Sequence, residues 1–240
     1  MRSKLVKAQL KLLDKYIEKL TSIYIDEYTM LLDEIAAKVV NLYNKISVED
    51  KPLLSHLYQY SRYVKLTKEI QNRLTELGLK QEQQFKNYIL DYYKKNAQIV
   101  DTYFEINDKR VQQIIVEDVL KDDLWSTSIW RDKRELLSKV RHELISHVVA
   151  GKTAEEMAES LKPETLTNNF YNRKRLVRTE LVKYYGESTL DRYKNAGITK
   201  VQRHCIDDSR SCEECKKNNN RIYTIKEAEG VLPRHPNCRD

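Results

Sequence analysis

Apolar residues at Leu5, Leu12, Leu13, Tyr16, Ile17, Leu20, Tyr24, Tyr28, Leu31, Ile35, Val39, Leu42 and Ile46 recur mostly at steps of three, four and seven. That spacing gathers side chains on one face of an α-helix. The first 50 residues hold neither Gly nor Pro, so the pattern predicts one helix over 5–46, roughly 60 Å long at about 1.5 Å per residue. Pro52 is the first clear stop. Amphipathic helices are expected next over 53–77, with Gly78 as C-cap, over 80–104, and over 110–120. "KDDLWSTSIWRDK", Lys121 to Lys133, interrupts the period and predicts a loop or short extended segment packed by Trp125 and Trp130. A helix resumes over 132–149 and stops at Gly151.

The texture changes toward the C-terminus. Thr153 and Glu156 form a capping box ahead of Ala154, Met157, Ala158 and Leu161. This predicts a small packing helix closed by Pro163, favoured over the first half of a helix-turn-helix because no recognition helix comes at once after it. A longer helix is expected over 171–196, ending at Gly197, and then two short strand candidates, "TKVQRHCID" and "RIYTI". The expected fold is mainly α. An elongated N-terminal helical section precedes a small α+β, zinc-knuckle-like C-terminal domain. The expected division is a helical region over 1–122 and a second domain over 123–240, with the knuckle at 198–240.

Composition sharpens this picture at two points. No run of 18 apolar residues is present, so no transmembrane helix is expected. The N-terminus alternates charge with apolar residues and lacks the continuous core of a signal peptide. Both point to the cytoplasm, where cysteines are reduced, metal-bound or inert rather than paired as disulfides. The net charge of +7 is uneven: residues 171–240 carry 16 Lys and Arg against 10 Asp and Glu, while residues 1–170 carry 27 against 26. The basic end suits contact with nucleic acid or an acidic protein face, and equally a solvated surface. The 16 tyrosines fall mostly on helices. They read as half-buried residues of a thin bundle, or as an interaction surface.

The candidate chemistry lies in "SCEECKKNNNRIYTIKEAEGVLPRHPNC". Cys212 and Cys215 form a C-x2-C, and His235 and Cys238 an H-x2-C. Two such pairs brought together by a hairpin supply the four thiolate and imidazole ligands of a structural zinc site. Unmetallated cysteines and a redox C-x2-C are the alternatives, the latter lacking a thioredoxin-like βαβ context. His204 and Cys205 are further donors, but neighbours on a strand face opposite ways, so at most one reaches the ion. A ββα-metal nuclease site would draw on His235 and Asn237. It would use the histidine that the structural metal needs, and no second histidine lies beyond it at ligand spacing. His142 and His147, five apart on a helix, read as surface or partly buried residues. No phosphate loop, nucleophile elbow or H-E-x-x-H motif is present.

With these residues in view, the C-terminal third resembles the phage head morphogenesis family, the Mu F-like minor head proteins. The resemblance rests on Arg178, Thr179 and Glu180 ("RTE") on a helix, Gly197 leading into a strand, and Asp208, Cys212 and Cys215. It continues through Tyr223 to Pro233, His235, Pro236, Cys238 and Arg239. It covers about 170–240. The chain has Asp240 where the family often has another cysteine, and "KNNNRIY" where it usually has a glycine. Asn218, Asn219 or Asn220 can supply the left-handed conformation instead. The resemblance implies a minor capsid protein without catalytic activity. It would associate with the portal and other head proteins, contact or accompany DNA, and reside in the virion and, during assembly, the host cytoplasm. A membrane has no part in the assembled head. Arg173, Lys174 and Arg175 are candidate nucleic-acid contacts. Positions two apart on a helix do not face each other, so Glu180 is expected to reach toward the knuckle and Arg178 elsewhere, toward Asp207 or Asp208. The readings kept beside this one are a metal-dependent ββα DNA nuclease and a zinc-stapled DNA-binding module.

Overall fold

The computed structural model describes residues 4–48, 51–105, 124–162, 168–205, 211–236 and 238. Helix α1 runs unbroken over Lys4–Ile46, 43 residues, as the apolar period predicts. Strands β1 (Ser47–Val48) and β2 (Lys51–Pro52) then form a minimal antiparallel pair. Helix α2 covers Leu54–Tyr58, a 3-10 turn comes next at Gln59–Ser61, and Ser61 adopts a positive φ. Helix α3 spans Arg62–Phe104. The helix expected over 110–120 lies outside the described residues. Helix α4 is Leu124–Val149, α5 is Ala154–Ser160 and α6 is Asn168–Asn195.

Three expectations do not hold. The helix expected over 53–77 is broken at Gln59–Ser61, where Ser61 takes a positive φ. Gly78 does not cap a helix; it lies inside α3. A Cβ at that position would stand 2.7 Å from Trp130 Cζ3 and 2.8 Å from Cη2. Glycine is there to admit an indole, not to end the helix. The segment around both tryptophans is also not a loop. Trp125, Ile129, Lys133, Leu136, Val140 and Leu144 are all buried on α4 at steps of three and four. The polar string between them is the outer face of an amphipathic helix. Lys133, at a core-facing step, hid that pattern; its ammonium donates to Gln81 Oε1 at 2.6 Å and lies over the Tyr28 ring.

Contacts divide the chain into two units, each assembled from separate stretches. One comprises Ser22–Gln83 and Ser126–Tyr171. Its core joins Tyr28, Ile35, Val39 and Tyr43 of α1, Ile70 and Leu74 of α3, Leu136 and Leu144 of α4, and Met157 and Leu161 around α5. The expected capping box starts α5: Thr153 accepts from the Glu156 N–H, and the Glu156 carboxylate accepts from the Thr153 N–H.

The other unit comprises Met1–Thr21, Gln84–Trp125 and Asn172–Asp240, and it carries the knuckle. Leu13, Tyr16, Ile17, Phe85, Ile89, Tyr92, Leu181 and Tyr184 are buried in it. Phe85 stacks on Trp125 with ring centroids 5.0 Å apart. A fully buried polar chain ties three helices. Gln9 on α1 donates to Asn96 Oδ1 (3.2 Å) and Thr189 Oγ1 (2.9 Å). Asn96 on α3 donates to Ser188 and Thr189 on α6 at 2.6 and 3.0 Å. Arg192, 1% exposed, pairs with Asp101. These hydrogen bonds form only when the three helices meet in one register. Helix α6 is thereby a fixed base for the knuckle beyond Asn195.

Candidate metal centre in the C-terminal knuckle

Helix α6 ends where predicted. Gly197 takes φ +74, and the N–H of Ile198 bonds the carbonyl of Tyr193. The chain then turns into β3 (Lys200–Gln202). A short helix α7 (Glu213–Lys217) and a turn lead to β4 (Ile222–Thr224), antiparallel to β3 with Val201 opposite Tyr223. Asn220, at φ +62, supplies the left-handed residue of that turn, the role expected of one of the three asparagines. The ladder continues one step past the strands: Arg203 N–H donates to Arg221 O, and Asn220 N–H to Arg203 O. A one-turn helix α8 (Ile225–Ala228) closes the unit, capped by a Thr224–Glu227 box. The 231–232 segment returns to α6, where a Cβ on Gly186 would already stand 3.4 Å from Leu232 Cβ.

The two halves of the motif meet. Cys212 is the N-cap of α7, and its Sγ accepts from the Cys215 N–H at 3.4 Å. His235 Nε2 lies 3.2 Å from Cys212 Sγ and 3.2 Å from Cys215 Sγ. These three donor atoms lie within 4.8 Å of one another. Cys238, fully buried, places its Sγ 3.9 Å from Cys215 Sγ. A tetrahedral zinc with Zn–S about 2.3 Å and Zn–N about 2.0 Å separates its donors by roughly 3.5–3.8 Å. The spacings among Cys212, Cys215 and His235 are therefore close to those of ligands around one small ion, whereas Cys238 is near Cys215 without lying equally close to all three. His235 Nδ1 lies 3.0 Å from the carbonyl of Pro236. A carbonyl only accepts, so this contact puts the ring proton on Nδ1 and leaves Nε2 bare toward the sulfurs. Metal-bound histidines are held in the same way. Arg234 of this turn pairs with Glu214 of α7 at 3.0 Å, tying the halves from outside.

The sulfurs differ electrostatically. The Cys215 N–H donated to its sulfur holds the Cys212 thiol below its ordinary pKa, and the nearby His235 adds to this. Burial pushes the Cys215 thiol up to about 12. Burial thus favours the protonated form of the inner sulfur. A metal ion supplies the charge that lets it ionise.

His204 is exposed and Cys205 is buried beside Cys215 and Cys238. Strand alternation thus turns one of the two inward, as expected. Arg203, two residues before Cys205 and on the same face, is 7% exposed and donates from Nη2 to Cys215 Sγ at 3.4 Å. Sequence reading passed over this residue. Its signal was an arginine at the inward position of Val201-x-Arg203-x-Cys205.

The remaining motif residues are less concentrated. Arg178, Thr179 and Glu180 lie on α6; Thr179 Oγ1 donates to the Arg175 carbonyl at 2.7 Å, and Glu180 is buried. Pro233 and Pro236 flank His235 in the closing turn. Lys174 and Arg175 are exposed. Asp207, Asp208, Arg239 and the side chain of Arg173 lie outside the described residues. His142 and His147 make only contacts within α4 among those observed, to Ser146 and Glu143.

Residues 138–239 match the family model described as Phage Mu protein F like protein. Neither a curated protein nor a solved structure matches the chain.

Proposed function

We propose that this chain, whose residues 138–239 match the Phage Mu protein F like family model, is a minor head protein of a tailed phage or prophage that docks on the portal vertex during head assembly. The family match is the observation that carries the reading. The site agrees with it: the histidine a nuclease would need is turned onto two cysteine sulfurs, as a structural ligand would be. In this reading residues 1–122 form the helical region and residues 123–240 the head-morphogenesis domain. The protein resides in the virion and acts through contacts rather than turnover.

Cys212, Cys215, His235 and Cys238 hold a structural zinc. The ion supplies cohesion to a segment whose strands are three residues each and whose helices are four and five residues long. Elements of that length do not persist alone, whereas structural zinc contributes about 10–16 kcal/mol of apparent binding free energy in small domains. The exposed Lys174 and Arg175 on α6 suit backbone contact with packaged DNA.

The test is purification of heads or procapsids from cells expressing the complete set of head genes, with the tagged full chain as bait. Portal protein should copurify at defined stoichiometry. Recovery of the chain free of head proteins would overturn the proposal. DNA contact is read separately. Phosphate contacts release counterions, so affinity should fall linearly with log salt, and Lys174→Ala with Arg175→Ala should flatten that slope. No binding at low salt removes the DNA role and leaves the portal role.

A further inference from the structure

We propose that Arg203 is the positioning residue of the knuckle's metal centre: its guanidinium donates to the sulfur of the ligand Cys215 and offsets negative charge of the loaded site. This rests on the metal reading above.

Three observations carry it. Arg203 lies where an apolar residue belongs. The β3 alternation puts Val201, Arg203 and Cys205 on the inward face, with Lys200, Gln202 and His204 exposed. An arginine at a buried strand position needs a partner of opposite charge or strong acceptor character. Its position is also fixed: both of its backbone polar groups are bonded across the ladder, to Arg221 and Asn220. The ladder thus holds the arginine in place, and the sulfur is brought to it. Finally, Nη2 donates to Cys215 Sγ at 3.4 Å. Cys215 is the central donor of the group, in contact with His235 Nε2 and with Cys238 Sγ as well as with the Cys212 half.

The charge count gives this contact its role. A divalent zinc bound by three thiolates and one neutral imidazole carries a net charge of −1. Cys215 and Cys238 are buried at 2% and 0% exposure, so water does little to screen that charge. A fixed guanidinium against the inner sulfur places positive charge directly beside that surplus. Partners of this kind, donating to a metal ligand from outside the coordination shell, are worth about 10–100-fold in metal affinity.

The test uses the full-length protein, with Co²⁺ as a spectroscopic probe and Zn²⁺ as competitor. Wild type should take up one Co²⁺ with a sulfur-to-cobalt charge-transfer band. Arg203→Met, which keeps the apolar stem and removes the charge, should bind about 10–100-fold more weakly. Its charge-transfer band should move to longer wavelength, because a thiolate without its N–H donor gives up electron density more readily. Arg203→Lys should recover most of the affinity. If the methionine variant loses helical signal in circular dichroism, Arg203→Gln replaces it and should show the same weakening. Wild-type affinity and band position in the neutral variant overturn the role of Arg203 while leaving the metal centre standing. Arg203→Lys as weak as Arg203→Met overturns it also, since shape and not charge would then be the cause. Failure of wild type to bind either metal overturns the metal reading itself, and this role with it.

Discussion

Alanine at position 78 sets two physical effects against each other with opposite signs. Gly78 sits inside α3, where replacing glycine by alanine ordinarily stabilises by about 1 kcal/mol. Here the new Cβ would lie 2.7 Å from Trp130 Cζ3, 2.8 Å from Cη2 and 3.3 Å from Cε3. Carbon atoms prefer about 3.5–4.0 Å, so the indole must move by roughly 1 Å. Trp130 is half-buried on α4 and swings as a rigid plate. Overpacking of one methyl group in such a setting costs about 1–3 kcal/mol. The two effects sum to a net loss of up to about 2 kcal/mol, a fall in Tm of up to roughly 8 °C at this chain length. With Trp130→Ala as background the clash disappears and only helix propensity remains. Gly78→Ala should then stabilise by about 1 kcal/mol. Urea unfolding monitored by far-UV circular dichroism on the four proteins of the cycle measures both signs and a coupling of about 1–3 kcal/mol. Stabilisation by Gly78→Ala in both backgrounds would refute the argument, since no indole would then rest on residue 78.

Three further outcomes rest on named contacts. Asp101→Ala leaves the buried Arg192 guanidinium without its carboxylate and should cost about 3–5 kcal/mol, with Arg192→Met in that background recovering most of it, both read by chemical denaturation. Asn220→Val should destabilise the knuckle by about 1–2 kcal/mol because a branched side chain resists positive φ, whereas Asn220→Gly should be tolerated; protease sensitivity of 198–240 reports the difference. The Arg73 guanidinium holds the Glu34 carboxyl below its ordinary pKa. That pair's stabilisation is present above the unfolded carboxyl's pKa and is lost as pH falls through the lower folded value. The Tm difference between wild type and Glu34→Gln should therefore hold steady near neutral pH and shrink as pH falls below the unfolded carboxyl's pKa.

Much of the fold could be read from the linear pattern. The 3.6-residue period of α1, the capping box at Thr153, the stop at Gly197 and the two short strands are local signals, and local physics decides them. The cysteine–histidine pairs were legible for the same reason: each pair spans a single turn, and its spacing encodes its reach. Misreadings came where a residue answers to something distant in sequence. Gly78 looked like a helix stop because its reason is Trp130, 52 positions away. Lys133 broke the apolar period of α4 because its partner is Gln81.

The sequence by itself determined that the chain is helical, that its last 40 or so residues carry two closely spaced pairs of cysteine and histidine, and which family that motif resembles. These rest on period, turn chemistry and ligand spacing, all properties of neighbours. Only the tertiary structure decided that each unit is assembled from discontinuous stretches, that Gln9, Asn96 and Thr189 share one hydrogen-bond chain, and that an arginine stands against the Cys215 sulfur. A buried polar or charged side chain is stable only with its partner in place. The partner is chosen by the packing of whole elements, and nothing in the local pattern names it.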